Sequence, residues 1–296
     1  MKNTRYAIVT PAHNEEKFLP QVIEAITRQK ILPVRWIIVD DRSTDDTLAV
    51  IQKYAARYPF IQALHLSGDT ERSLGANVVQ VFNAGLAKLD EDVDYIIKMD
   101  ADLILEPDYF TDMMTRFEAD PKLGIGSGKI FIEHGGEWIQ ERYPDFHVPG
   151  ACKMYRMACF RDIGGPIIIY GWDILDGTKA RMLGWTTCSF RDLSIRHLRM
   201  MGSAKGMLRG HIGHGRGMYA VRAHPVFVLA RSVYRAVEPP FLSGLLIFFG
   251  YIYGWLKGEP RLKDLKLARF LRKEQLGRLL GRKLSQEAFL PRKLNS

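Results

Sequence analysis

Apolar residues recur through the first hundred positions in short blocks: YAIVT at 6–10, VRWIIVD at 34–40, IQALHLS at 61–67 and VDYIIKM at 93–99. Each has strand length and is rich in β-branched and aromatic residues. Between them lie EEKFLPQVIEAITRQ, a segment opened by STDDT and running to about Arg57, and SLGANVVQVFNAGLAKL, all with apolar positions at helical spacing. Ser43, three residues before Asp46, reads as an N-cap for the second of these helices. Strands alternating with helices in this way predict βαβ units and a largely parallel sheet.

After residue 120 the alternation thins. GIGSGKIFIE reads as a strand, GACKMYRMACFRDIGG as a strand turning into a short helix, DILDGTKARMLGW as a helix with Gly184 just past its end, and TTCSFRDLSIRHL as a returning strand. These segments are expected to complete the same sheet. The pattern changes again near His224, giving an expected division into a catalytic-looking region at 1–223 and an apolar and basic helical extension at 224–296. Residues 241–256, FLSGLLIFFGYIYGWL, carry no charge over sixteen positions, short of the roughly 20 needed to span a bilayer. The next stretch, RLKDLKLARFLRKEQLGRLLGRKL, sets leucines and Phe270 at helical spacing against a basic face. A cationic amphipathic helix beside an aromatic-rich apolar run predicts an in-plane anchor on an anionic membrane surface.

Composition sharpens this division. The chain has 296 residues, 47% hydrophobic and 25% charged, which fits a folded α/β domain with an appendage. From residue 257 onward twelve basic residues face four acidic ones, so +8 of the net +9 lies in the last forty residues. No nucleic-acid motif accompanies that charge, so nucleic acid is not expected as a partner. Cys152, Cys159 and Cys188 form no CxxC pair and point to a reducing compartment. With no apolar leader at the N-terminus, the cytoplasmic face of the membrane is the expected location.

The candidate chemistry lies at strand ends, where open α/β sheets bind ligands. The first strand ends in TPAHNEE, the second in VDDRSTDD and the fourth in KMDADL. Asp100 and Asp102 have three roles open to them: facing solvent, capping the next helix, or holding a metal ion. Acidic residues gathered round one crevice call for a cation, and oxygen ligands suit Mg2+ or Mn2+. GIGSG at 124–128 is no dinucleotide fingerprint, because no helix follows it in a βαβ unit. The first loop also lacks the glycine-rich cradle a nucleotidyltransferase needs. GHIGHGRG resembles a metal spacing at His211 and His214, but its glycines read as a mobile loop that could close over a diphosphate with Arg209 and Arg216.

Taken together, TPAHNEEKFLP, VDDRSTDDT, RSLGANVVQVFNAGL, KMDADLILEP and IGGPIIIYGWDILDGTKARMLGW resemble, in order and spacing, the family 2 glycosyltransferases over about residues 4–200. The resemblance implies the GT-A fold, an α/β Rossmann-like mixed sheet, mostly parallel. It implies a UDP- or GDP-sugar donor, inversion at the anomeric carbon, and Mg2+ or Mn2+ as cofactor. Carried over by position, Pro11, His13, Glu15, Asp41 and Asn77 meet the nucleotide, with Asp40 sharing that role or capping its strand. Asp100 and Asp102 match the metal-binding DxD, with Asp102 the direct ligand and Asp100 reaching the ion through water or binding the ribose. His197 matches a further metal or diphosphate ligand. Asp173 matches the catalytic base. The family usually has Glu before that Asp, whereas here Trp172 precedes it, and this leaves Asp176 as a rival base. With the basic tail, the expected acceptor is a hydroxyl of a lipid-linked glycan in cell-surface polysaccharide or glycoconjugate synthesis. The alternatives are transfer to a polyprenyl phosphate and a non-catalytic nucleotide- or glycan-binding protein on the same fold.

Overall fold

Four parallel strands built from the most apolar blocks form the first half of the sheet: β1 (Tyr6–Ala12), β2 (Arg35–Asp41), β3 (Ile61–Leu66) and β4 (Tyr95–Met99), in the order β3-β2-β1-β4. The computed structural model describes residues 4–68, 77–199, 207–237 and 241–282. Helices α1 (Leu19–Thr27) and α2 (Thr47–Arg57) cover one face, and α3 (Asn77–Leu86) the other. β1 and β2 are buried on both faces, which is why they read as continuous apolar runs. Helix α2 starts at Thr47 without using Ser43 as its cap. The Ser43 hydroxyl instead accepts the Asn14 N–H at 3.0 Å, and Asp45 accepts the Thr47 N–H at 3.0 Å.

Beyond β4 come β5 (Leu103–Leu105), α4 (Tyr109–Ala119), β6 (Leu123–His134), β7 (Glu137–Gln140), β8 (Cys152–Arg156), α5 (Met157–Ile163), α6 (Trp172–Met182) and β9 (Thr186–His197). The sheet continues β4-β8-β6-β9-β5, with β7 hairpinned onto β6. Among the described residues four ladders are parallel and four antiparallel. The expectation of a mostly parallel sheet therefore holds for the first half alone. No helix lies between β6 and β8, so no crossover brings β8 in parallel, and it enters antiparallel to both its neighbours.

A helical layer made of α7 (Met207–Ala220), α8 (Pro225–Ala236), α9 (Ser243–Leu256) and α10 (Leu265–Leu279) packs on α6. Their shared core contains Leu175, Met218, Val228, Ile247, Leu267 and Leu271. The segment GHIGHGRG, read as a mobile loop, is the body of α7. Its glycines serve contact: a Cβ on Gly215 would stand 2.0 Å from the Ile247 carbonyl oxygen, and one on Gly250 would stand 2.1 Å from that of Ile212. Backbones this close tolerate only glycine, which offsets the roughly 1 kcal/mol glycine costs a helix.

Helix α9 turns its small residues Gly244, Gly250 and Gly254 inward and is about 21 Å long at 1.5 Å per residue. No described helix is long and apolar enough to cross a membrane. Of the expected amphipathic stripe, Leu267, Ala268 and Leu271 pack against the protein, whereas Leu265, Leu279 and Leu280 are exposed. The basic tail beyond residue 282 lies outside the described residues.

Candidate active site

Two loops at the ends of β1 and β2 interlock. His13 Nδ1 lies 2.8 Å from the Asp41 carbonyl, and the Thr44 N–H donates to Asn14 Oδ1 at 2.8 Å. Asn14 and Arg42 both take positive φ, 57° and 55°, the sharp turns that let the loops meet. Pro11 is the last residue but one of β1. Asp41 is buried at this junction, where Asn77 Nδ2 donates to it at 2.6 Å and the Arg42 guanidinium pairs with it. Asp40 is fully buried; it faces His65 Nδ1 at 2.7 Å and accepts the Ser43 N–H at 3.3 Å. Asp41 thus ties Asn77 and Arg42 together at the loop junction, while Asp40 holds the turn. Residues 72–76 of the segment RSLGANVVQVFNAGL lie outside the described residues.

The β4 end brings three acids together. Asp100 pairs with Lys98, whose ammonium also donates to the Gly150 carbonyl at 2.7 Å. Asp102 sits 3.2 Å from His197 Nε2 and 3.8 Å from Arg199 Nε, and Arg199 reaches Glu15 at 2.6 Å. The antiparallel register of β5 on β9, Leu103 opposite His197, sets that imidazole beside Asp102. Burial pushes the Glu15 carboxyl up to about 7, reinforced by the charge of Asp102 and opposed by Arg199. Burial likewise raises Asp100, against the pull of Lys98. Burial works to lower His197, but its hydrogen bond to Asp102 and that residue's charge prevail and raise it.

His197 Nδ1 is buried without a hydrogen-bond partner. Asp102 and His197 form an oxygen and nitrogen donor pair, with the charges of Asp100 and Glu15 alongside. Among the described residues no three acidic, His or Cys groups converge closely enough to chelate an ion by themselves. Mg2+ bound to nucleotide substrates takes one or two carboxylates plus phosphate oxygens, and this donor set fits that division of ligands.

The rival acids of α6 have separate environments. Asp176 is fully buried, with Lys153 Nζ at 2.6 Å and the Tyr155 hydroxyl at 2.5 Å. Asp173 is half-buried; burial raises its pKa, opposed by Lys153 and reinforced by Asp176. The Asp173 carbonyl accepts from Lys153 Nζ at 2.7 Å. Lys98 and Lys153 stand 5.5 Å and 5.2 Å from the centroid of the Trp172 ring, so the residue that replaces the family's usual glutamate holds two ammonium groups by cation–π attraction. Gly150 closes the gap between the Lys98 side and Asp173: a Cβ there would lie 3.2 Å from the Asp173 Cβ.

Asp173 also lines a cavity of about 840 Å3 between residues 140–147, α7, α8 and α10. His214 faces this cavity, far in role from the carboxylate crevice, and Arg216 pairs with Glu259 at 2.6 Å. The segment GHIGHGRG, expected as a mobile loop that could close over a diphosphate with Arg209 and Arg216, is thus part of α7, with His214 on the cavity wall. Lys98, Lys153, Tyr155 and Arg199 went unmarked in the sequence reading. A lysine inside the apolar run VDYIIKM was the available signal for Lys98, since an apolar strand rarely buries a cation without a partner.

The family model described as glycosyl transferase family 2 matches residues 7–164. Chondroitin synthase from Escherichia coli is 28% identical over 138 residues, 46% of this chain and 19% of that protein. Human hyaluronan synthase 3 is 30% identical over 130 residues, 40% of this chain and 23% of that protein. The match thus spans about a fifth of the length of these curated relatives. Among solved structures, the mannosyltransferase PcManGT from Pyrobaculum calidifontis, in complex with GDP-Man and Mn2+, superposes with a TM-score of 0.57 at 15% identity, over 96% of this chain and 77% of that one. GalNAc-T7 with UDP, GalNAc and Mn2+ gives 0.59 at 12%, over 93% and 55%. S. aureus TarS 1-349 with UDP-GlcNAc gives 0.55 at 13%, over 93% and 81%. At these identities the likeness is one of fold.

Proposed function

The chain belongs to glycosyl transferase family 2, and from that premise we propose that it is an inverting glycosyltransferase. It takes a sugar from a UDP- or GDP-linked donor and adds it to a hydroxyl of a lipid-linked glycan at the cytoplasmic surface of a membrane, with Mg2+ or Mn2+ as cofactor.

The observation that carries the reading is the placement of Asp173. It borders the 840 Å3 cavity and, through Lys98 and Gly150, adjoins the Asp100 side of the crevice. Asp41 and Asn77 hold the base or ribose, with Pro11 and His13 framing the loop. Asp102, His197 and Asp100 would hold a divalent ion, which would supply positive charge against the departing diphosphate. The acceptor oxygen attacks the anomeric carbon from the cavity side while the bond from that carbon to the diphosphate breaks. The nucleoside diphosphate leaves with the electron pair, and Asp173 takes the acceptor's proton. A carboxyl raised by burial is a stronger base than an exposed one, which suits this role. Asp176, locked by Lys153 and Tyr155, positions α6 instead.

Helices α8 and α9 support the membrane part. They leave Leu229, Val233, Val237, Phe241, Leu242, Leu245 and Phe249 exposed, and Lys257, Lys263 and Lys266 follow on the surface. An apolar face rimmed by cations suits an anionic bilayer surface. The decisive experiment is nucleoside diphosphate release across UDP- and GDP-sugars with Mg2+ or Mn2+, using Asp173→Asn as the control. Release by the parent chain and not by the variant supports the reading, and no release with any donor overturns it.

A further inference from the structure

Lys98 stands where the crevice adjoins Asp173 and is only 3% exposed. Its ammonium pairs with Asp100, donates to the Gly150 carbonyl at 2.7 Å and lies over the Trp172 ring. Of these three partners only Asp100 is negative. The antiparallel register of β4 on β8 sets Lys98 directly opposite Lys153, on one face of the sheet, where like charges repel. Lys153 is already matched to the fully buried Asp176 at 2.6 Å, so that carboxylate is not free for Lys98. Asp100 has no ion-pair partner but Lys98 among the described residues; His197 and Arg199 answer Asp102, and Arg199 also takes Glu15. One of the two carboxylates assigned to the divalent ion is therefore held by a cation of the protein's own.

We propose that Lys98 is a resident counter-cation that makes metal binding depend on the donor: it keeps a bare Mg2+ or Mn2+ from Asp100, and the donor's diphosphate answers its charge once the carboxylate turns to the ion. This rests on the glycosyltransferase reading and deepens it by giving Lys98 a role in how ion and donor enter. A divalent ion brought to Asp100 while Lys98 holds that carboxylate meets a second positive charge, and the repulsion is strong where water is largely excluded. If Asp100 lets go of Lys98, the ammonium keeps a carbonyl and an indole, faces Lys153, and is left buried without a counter-ion, which is strongly unfavourable. Both routes disfavour the ion alone. A nucleoside diphosphate arriving with the ion brings at least two negative charges and removes the penalty. Trp172 makes the dependence stricter, because the indole in place of the family's usual glutamate supplies no other anion for Lys98.

The test measures Mn2+ binding to the full chain by electron paramagnetic resonance and calorimetry, first alone and then with UDP or GDP. In the parent protein the nucleotide should tighten Mn2+ by about tenfold or more, and by linkage Mn2+ tightens the nucleotide by the same factor. Lys98→Met should bind Mn2+ alone about tenfold or more tightly than the parent and bind the nucleotide more weakly, so the tightening shrinks. Lys98→Arg, which keeps the charge, should hold the parent's ratio to within about threefold. Chelation of Mn2+ by free nucleotide is common to all variants and cancels in the comparison. A merely structural lysine would weaken both ligands when removed, and could not tighten one of them. Should Lys98→Met fail to fold, Lys98→Gln, which keeps a donor for the Gly150 carbonyl and drops the charge, takes its place with the same expected result. The proposal is overturned if the uncharged variant binds Mn2+ alone no better than the parent, or if neither nucleotide tightens Mn2+ in the parent. Sugar transfer takes no part in these measurements. Variants that behave as expected in a chain that releases nucleotide from no donor would fail the glycosyltransferase reading alone, and a transferring parent with no such coupling would fail the Lys98 proposal alone.

Discussion

The crevice at the ends of β1, β2 and β4 and the cavity under α8 meet at Asp173, yet they are built on opposite electrostatic plans. In the crevice acidic residues gather and local cations answer them: Lys98 for Asp100, His197 for Asp102, Arg199 for Glu15 and Arg42 for Asp41. In the cavity Asp145 and Glu274 are held by Lys129, Arg191 and Arg181, Asp173 is held by no ion pair among the described residues, and the Nε of Arg231 is buried without a partner. An acidic crevice balanced by nearby bases can exchange those bases for a metal and a nucleotide. On the proposed function, the crevice is the side of the leaving group and the cavity the side of the acceptor.

The sharpest way to break this contrast is Asp173→Asn at the boundary. Loss of general base catalysis should lower kcat by about 10²–10⁴ while donor affinity is kept. Because burial raises the Asp173 carboxyl and the base acts deprotonated, activity should rise with pH along an acid limb above the ordinary carboxylate range. A limb in the usual range, or one that survives in the variant, would move the base elsewhere. Next in size is Asp176→Asn. Removing the negative partner of a fully buried Lys153 should cost stability on the order of 3–5 kcal/mol by urea unfolding. A stable variant that has lost only turnover would instead make Asp176 the base.

Asp102→Ala should weaken Mn2+ dependence of turnover by about 10–100-fold without unfolding the chain. Unchanged metal response would empty the crevice side of its assigned role. Smallest is the double change Leu245→Ser and Phe249→Ser on the exposed face of α9. It should reduce sedimentation with phosphatidylglycerol vesicles severalfold and leave nucleotide release from the donor in the presence of a soluble acceptor intact. Equal sedimentation of both proteins removes the membrane from the cavity side. Removing residues 241–296 altogether is the poorer experiment, because Ile247, Leu267 and Leu271 belong to the core shared with α6.

How legible each region was follows from chain distance. VDDRSTDD and KMDADL place their carboxylates within a few residues of strands whose apolar runs are plain, so fold class and crevice could be read together. His197 came from the resemblance, and the β5–β9 register puts it 3.2 Å from Asp102. Arg199, two residues on, was missed because nothing local marks a side chain that reaches back to Glu15. The helical layer was misread where composition served two ends. Glycines in GHIGHGRG suit a loop and suit a tight helix contact equally, and only the approach of Ile247 to Gly215 tells them apart. The leucines of α10 suit a bilayer or a protein core, and contact with the rest of the helical layer draws Leu267 and Leu271 into the core while Leu265 and Leu279 stay exposed.

By itself the sequence determined the strand and helix alternation of the first half, the acids at the strand ends and the cationic bias of the far end. Those depend on patterns of neighbouring residues, where hydrophobic period and local turn chemistry act over a few positions. Tertiary structure alone decided that half the sheet pairing is antiparallel, that Asp176 is locked while Asp173 faces a cavity, and that Arg231 stands without an acceptor. Each of those turns on groups far apart in the chain. Burial and charge balance are properties of the assembled surroundings, and no short stretch of sequence contains them.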